Sequence, residues 1–187
     1  VLKDLNVYEK IDSLSASKLY LNEKMPFAAN YIDKNFDVGH TNDNQSEHGS
    51  HVAGIAAANR FIPRNGGYAD ALETVLLAGM APDAQLLTMK VFGKQGSPHD
   101  SDYMAAIEDA IILGCDSVNL SLGSGSSGFS FNATYADLLA SLQETDTVVT
   151  ISAGNSYAWD YSADHDLYVE DIRFSTGGSP GSYSNSL

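Results

Sequence analysis

The 187 residues predict an α/β protein in which a parallel sheet carries helices on both faces in three layers. Three observations predict it. Apolar runs of strand length alternate with segments of helical spacing between residues 85 and 153. Each of those strands gives way to a loop rich in Gly or Ser, the place where parallel sheets gather their binding groups. No apolar run approaches the roughly 20 residues that cross a bilayer, and a chain of this size can bury about 70% of its unfolded surface around one core.

The elements follow in order. Phe27 to Tyr31 reads as a short strand. Residues 46–59 (SEHGSHVAGIAAAN) read as a helix on which His48, His51, Val52, Ile55 and Asn59 share one stripe at spacings of three, four and seven. Its many Gly, Ala and Ser residues permit close approach of neighbours, so this helix is expected to pack centrally. Gln85 to Phe92 (QLLTMKVF) reads as a strand, and Ser101 to Leu113 as a helix with Met104, Ile107, Ala110 and Ile111 at helical spacing. Asp116 to Leu122 (DSVNLSL) is the next strand. Asn132 to Gln143 places Tyr135, Leu138, Leu139 and Leu142 on one helical face, and Val148 to Ala153 (VVTISA) closes the β-α-β-α-β succession.

Composition narrows the function. A formal net charge of −14 repels phosphate backbones and anionic lipid, which argues against nucleic acid as a partner, and no segment here inserts in a membrane. The single cysteine, Cys115, excludes an internal disulfide; with Ile111, Ile112 and Val118 nearby it reads as a small packed side chain rather than a nucleophile. Val1 opens the chain with neither an initiator Met nor a basic-then-apolar leader, so the start is expected to be internal to a longer protein. The loops after Phe92 (GKQGS), after Asn119 (SLGSGSSG) and after Ile151 (SAGNS), together with the start of the histidine helix, are expected to surround one cleft.

At these blocks the chain resembles the subtilisin-like serine proteases, the subtilase family. HGSHVAGIAA is similar to the family's histidine block, GMAPDAQLLTMKVF to the strand after it, DSVNLSLGS to the substrate-binding strand, and VVTISAGNS to the block bearing the oxyanion asparagine. The segment GSPGSYSNSL resembles the approach to the next strand, and residues 19–45 are most like the larger cell-envelope members. The resemblance implies that His48 is the general base and His51 a structural residue. It implies that the Asn155 amide donates to the oxyanion. Ser121, Leu122 and Gly123 would pair with the substrate backbone as an added strand, Gly96 would lie on the opposite side of that substrate, and Ala153 and Gly154 would wall the first specificity pocket.

The departures carry as much information. The family's chain order is Asp, His, Ser, yet neither outer member stands on a recognisable motif here. Asp33 in YIDKNFDVGH superficially resembles the aspartate signature. However, it precedes His48 by only 15 residues, and Asn35 replaces the signature's glycine; a loop aspartate is the competing reading. No GTSMA-like segment follows Asn155. Residues 1–187 are therefore expected to be an incomplete subtilase catalytic domain, inactive alone, with the aspartate strand upstream and the serine helix downstream.

Two function classes stand side by side. One is part of a secreted or surface-attached serine endopeptidase acting on peptide or protein substrates through an acyl-enzyme; the other is a non-catalytic peptide-binding module of the same fold. A nucleotide-binding protein is disfavoured, since neither GxxxxGK[ST] nor a well-placed GxGxxG is present. His48 and His51 with Glu47 or His40 would be a poor zinc set amid Gly and Ala, and no metal site is assigned. The acidic stretch Asp160 to Asp171 leaves calcium open, with no ligands identified, against a solvated loop. Trp159 and Tyr161 read either as cleft lining or as packing of the loop base, and His99 and His165 as surface residues. The uncovered sheet edge and helix surface would be met by the rest of the parent chain or by a dimer mate.

Overall fold

A computed structural model describes residues 4–7, 15–94, 100–123, 133–154, 161–162, 167–168 and 181. The chain divides into two compact units, residues 1–109 and 110–187.

The first unit is built on one parallel pair. After a single helical turn, α1 (Ala16–Leu19), strand β1 (Phe27–Asn30) is buried at all four positions and runs parallel to β4 (Leu87–Lys90) from Phe27↔Leu87 to Asn30↔Lys90. Both strands are shorter than their apolar runs. The chain turns at once after β1, because Asn30 N–H and C=O pair with Asn35 across a tight turn. The next segment is tied down by Lys90, whose ammonium donates to Gly39 O at 2.5 Å and pairs with Asp43 at 3.2 Å, both ends nearly shielded from water. That anchor fixes the approach to α2 (His48–Ala57).

Between α2 and β4 lies a hairpin that sequence reading passes over. Strands β2 (Phe61–Arg64) and β3 (Gly67–Asp70) pair antiparallel, with Arg64 opposite Gly67. Asn65 and Gly66 both take positive φ, 51° and 79°, the conformation a two-residue type I′ connection requires. The signal was in the letters: Asn-Gly between two short runs. Arg60 clamps the base through Asp70 at 2.6 Å, and this bond holds the Asp70 carboxyl below the usual carboxylate range against the opposing pull of desolvation. Asp70 also caps the short helix α3 (Ala71–Thr74) by accepting from Leu72 N–H.

The end of α2 is satisfied by the segment before β4. Gly79, Met80 and Ala81 donate their N–H groups to the carbonyls of Ala58, Ile55 and Ala56, each at 2.9 Å. Contact is so close at Gly79 that a Cβ would overlap the backbone of Ala57 and Ala58. Gly79→Ala is therefore expected to destabilise the first unit by about 3 kcal/mol, since backbone rather than a pliable side chain must move. Urea unfolding checks this; an unchanged midpoint would contradict it.

Of the four residues expected on the inner face of helix α4 (Asp100–Ile112), Ile107 and Ala110 are buried while Met104 and Ile111 are only partly covered. In the second unit, β5 (Ser117–Leu120) and β6 (Val148–Ile151) run parallel from Ser117↔Val148 to Leu120↔Ile151, joined by a connection containing α5 (Ala133–Gln143). Leu138, Leu139 and Leu142 of α5 are buried, as are Leu120, Val149 and Ile151 of the strands. The order β4-α4-β5-α5-β6 is the one expected. Among the described residues, however, the parallel strands form two separate pairs rather than one continuous sheet. A minor antiparallel pair, β7 (Tyr161–Ser162) with β8 (Leu167–Tyr168), falls within the acidic stretch, whose other residues lie outside the described ones.

Candidate active site

Helix α2 opens directly on His48. Its amide donates to Gln45 O at 3.2 Å, and His51 N–H donates to Glu47 O at 2.9 Å, so the first turn is closed by backbone without a side-chain cap. Both histidine side chains are exposed. The expectation that this helix packs centrally is corrected: Ala57 is its only buried residue, Ile55 is half exposed, and a Cβ on Gly49 or Gly54 would meet nothing within 4 Å. His51, for which a structural role was expected, is exposed among the described residues. Spacing shows which residues share a face, whereas the surface that covers the face must come from elsewhere.

The second unit assembles the predicted substrate-binding residues at the carboxyl ends of two adjacent strands. Ser152 N–H donates to Leu120 O at 3.0 Å, carrying the β5–β6 pairing one step past both strands, and Ser152 Oγ donates to Leu122 O at 3.0 Å. The carbonyls of Asp116, Leu120 and Leu122 thus point toward β6. Asn119 braces the end of β5, donating through Nδ2 to Ser121 Oγ at 2.9 Å and accepting from Thr150 Oγ1 at 3.1 Å. Ala153 and Gly154 are exposed beside this segment, and Gly154 has a φ of 91°, in the left-handed region that favours glycine.

Ser121, Leu122, Gly123, Ala153 and Gly154 are thereby gathered at one edge, whereas His48 belongs to the first unit. Gly96 and Asn155 lie outside the described residues, as do His99, Trp159 and His165. Asp33 sits in the turn after β1, accepting from Asn30 Nδ2 at 3.0 Å while its own N–H returns to Asn30 Oδ1 at 2.9 Å, the arrangement of a loop aspartate. Among the described residues no three His, Cys, Asp or Glu side chains gather as metal ligands. Burial raises the Cys115 thiol's pKa, and the neighbouring Asp116 charge adds to it, so the group stays protonated near neutrality. An open groove of about 720 Å³ lined by Tyr20, Lys24, Asn59 and Gln85 includes none of the expected site residues.

The family profile described as "Subtilase family" matches residues 11–187. The chain belongs to the subtilase family. This subtilase is 38% identical over 152 residues to the PI-type proteinase of Lactococcus lactis subsp. cremoris, a match spanning 79% of the chain but 8% of that proteinase. It is 35% identical over 98 residues to the minor extracellular protease Vpr of Bacillus subtilis, covering 50% of the chain and 10% of Vpr. The solved structure of sphericase superposes with a TM-score of 0.53 at 27% identity, over 82% of this chain and 41% of sphericase. The chain therefore spans less than a tenth of the Lactococcus relative. Its strand and helix order is that of a partial subtilase α/β fold.

Proposed function

We propose that this chain is the base-and-oxyanion portion of a serine endopeptidase, secreted or attached to the cell surface. One observation supports the reading: the β5–β6 pairing and the Ser152 Oγ–Leu122 O bond keep residues 121–123 and 152–154 at the carboxyl ends of two neighbouring strands, where a peptide would join as a further strand. In the proposed reaction a serine hydroxyl of the parent attacks the scissile carbonyl while His48 takes its proton. The Asn155 amide donates to the oxygen that becomes negative, and His48 then protonates the departing amine, leaving an acyl-enzyme that water hydrolyses. Ser121 and Gly123 hold the substrate backbone with Gly96 on its other side, and Ala153 and Gly154 leave room for a large side chain in the first pocket.

The acid and the nucleophile are proposed to come from parts of the parent outside these residues. No motif for either stands in the sequence, and Asp33 is engaged in its own turn. The surface of the first unit supports a missing partner: Val75, Leu76, Leu77 and Met80 are exposed, Leu76 and Met80 by 83% and 85%. The proposed cover is the remaining parent chain, with a dimer mate as the lesser option. An extracellular location accords with one relative, the minor extracellular protease Vpr.

The 187 residues expressed alone should hydrolyse no peptide and should melt broadly or self-associate. Calorimetry with light scattering checks this, and a sharp monomeric transition like that of an intact protease would contradict it. The reading as a whole is tested by labelling the parent with a fluorophosphonate. Labelling at one serine that depends on His48 supports it, and a parent that binds peptides but is never labelled identifies a non-catalytic binding module instead.

A further inference from the structure

Lys90 is the only buried cationic side chain among the described residues, and the chemistry above makes no use of it. It is the last residue of β4, where its backbone is held by the pairing with Asn30 and by Tyr31 N–H, which donates to Lys90 O at 2.9 Å. From this rigid root the ammonium reaches the loop before α2, donating to Gly39 O at 2.5 Å and lying 3.2 Å from Asp43 Oδ2. The loop passes the hold onward. Asp43 Oδ1 accepts from Gln45 N–H at 2.9 Å, and Gln45 O accepts from His48 N–H at 3.2 Å. An unbroken series of contacts thus joins the end of the β1–β4 pair to the backbone of His48, all of it within the first unit.

The last link is strained. Ser46 takes a φ of 54° and Glu47 a φ of −82°, so residues 45–48, closed by the Gln45 O bond, have the φ pattern of a type II′ turn, whose first central position favours glycine. A serine persists there only where its surroundings impose the conformation. The Asp43 carboxylate does so from one side, by fixing the amide that enters the turn. A buried ion pair is a costly adhesive, and apolar groups of similar size often hold a fold as well, so adhesion alone does not account for Lys90 and Asp43. What the pair supplies is direction, one carboxylate oxygen facing the ammonium and the other the Gln45 N–H. His48 needs such a hold, since it opens α2 without a preceding helical turn or a side-chain cap.

We propose that Lys90 and Asp43 are positioning residues for His48: the ion pair holds the turn 45–48 so that the imidazole starts from a fixed backbone position at the amino end of α2. This deepens the reading of His48 as the general base and rests on it. Neither side chain is assigned a contact with substrate or with the reacting atoms. Release of the pair lets Ser46 relax toward negative φ and shifts the His48 backbone, and displacement of a base by about 1 Å is enough to lower a rate by about 100-fold.

The test uses the full parent with Lys90→Met, which keeps the stem and removes the charge, and with the double variant Lys90→Met/Asp43→Leu, which makes the pair apolar. Competent molecules are counted at the end point of fluorophosphonate labelling, and kcat and the labelling rate are expressed per counted site. Both variants should lose about 10- to 100-fold in kcat and a similar factor in labelling rate, with KM little changed. The two losses should be equal rather than multiplied, because either change releases the turn. The double variant should recover thermal stability that Lys90→Met loses, since no carboxylate is left buried without its counter-charge, yet regain none of the rate.

Unchanged kcat and labelling rate per site in either variant would overturn the proposal, even where stability falls, since a purely structural pair lowers the number of competent molecules and not their rate. A loss confined to KM, or a double variant with no countable sites, would overturn it too, because the pair would then serve substrate binding or folding. His48→Ala separates this inference from the one beneath it. An inactive His48→Ala parent beside unaffected pair variants removes the positioning role alone, whereas a His48→Ala parent that keeps its rate removes the reading of His48 as the base.

Discussion

His48→Ala in the parent should lower kcat by about a million-fold with KM little changed. That magnitude is carried over from subtilisin, where loss of the base costs about as much as loss of the whole triad. His48 stands at the first position of α2 and is the first histidine of the block HGSHVAGIAA; exposure and the matched family span are shared with His51. His51→Ala serves as the internal control. If the second histidine only packs against the missing cover, its loss should reduce stability and active-site count while leaving the rate per site within a few-fold. Steady-state kinetics on titrated enzyme separates the two, and equal losses at positions 48 and 51 would contradict the assignment.

Asn155→Ala should lower kcat by about 100- to 1000-fold, again with KM little affected, because the amide is asked to bind an oxygen whose charge exists only in the transition state. Subtilisin's asparagine is the source of that range as well. Asn155→Asp should be at least as harmful, since it sets a carboxylate against the developing oxyanion. Both variants should keep normal binding of uncleaved peptides, whose backbone contacts are proposed to lie on Ser121 and Gly123. A fall confined to KM would mean that Asn155 holds ground-state substrate and has no oxyanion role.

Much of the fold was legible because its elements obey simple periods. α4 and α5 fall within two residues of their expected limits, and the apolar faces at Ile107 and Ala110 and at Leu138, Leu139 and Leu142 are buried as spacing requires. The strands were placed correctly but read too long, since apolar runs such as QLLTMKVF continue past the residues that pair. Strand partnership was not legible. That β1 joins β4 and β5 joins β6 is decided by contacts remote in sequence, which no local pattern encodes. The hairpin at residues 61–70 could have been read from Asn65-Gly66, whereas Pro63 and the brevity of each run hid it.

The site was legible in the same uneven way. Residues 121–123 and 152–154 lie directly after the ends of β5 and β6, where the rule that parallel sheets bind at their carboxyl edge had put the loops of interest. The histidine helix was read correctly as an element and wrongly as to its surroundings, because a stripe of small residues shows that close packing is possible but not what supplies it. The pairing of Lys90 with Asp43 gave no signal at all. One looks like a polar residue within an apolar strand and the other like a loop aspartate, and their value lies in a contact that sequence does not bring near.

The central claim is that His48 and Asn155 act on the same peptide carbonyl while Ser121 and Gly123 hold its backbone. A crystal structure of the parent with a peptide boronate bound to its nucleophile measures this most directly. The account predicts one boronate oxygen accepting from the Asn155 amide, the other within hydrogen-bond reach of His48, and the peptide paired with Ser121 and Gly123. A boronate that meets only one of the two side chains, or a peptide lying away from residues 121–123, would contradict it.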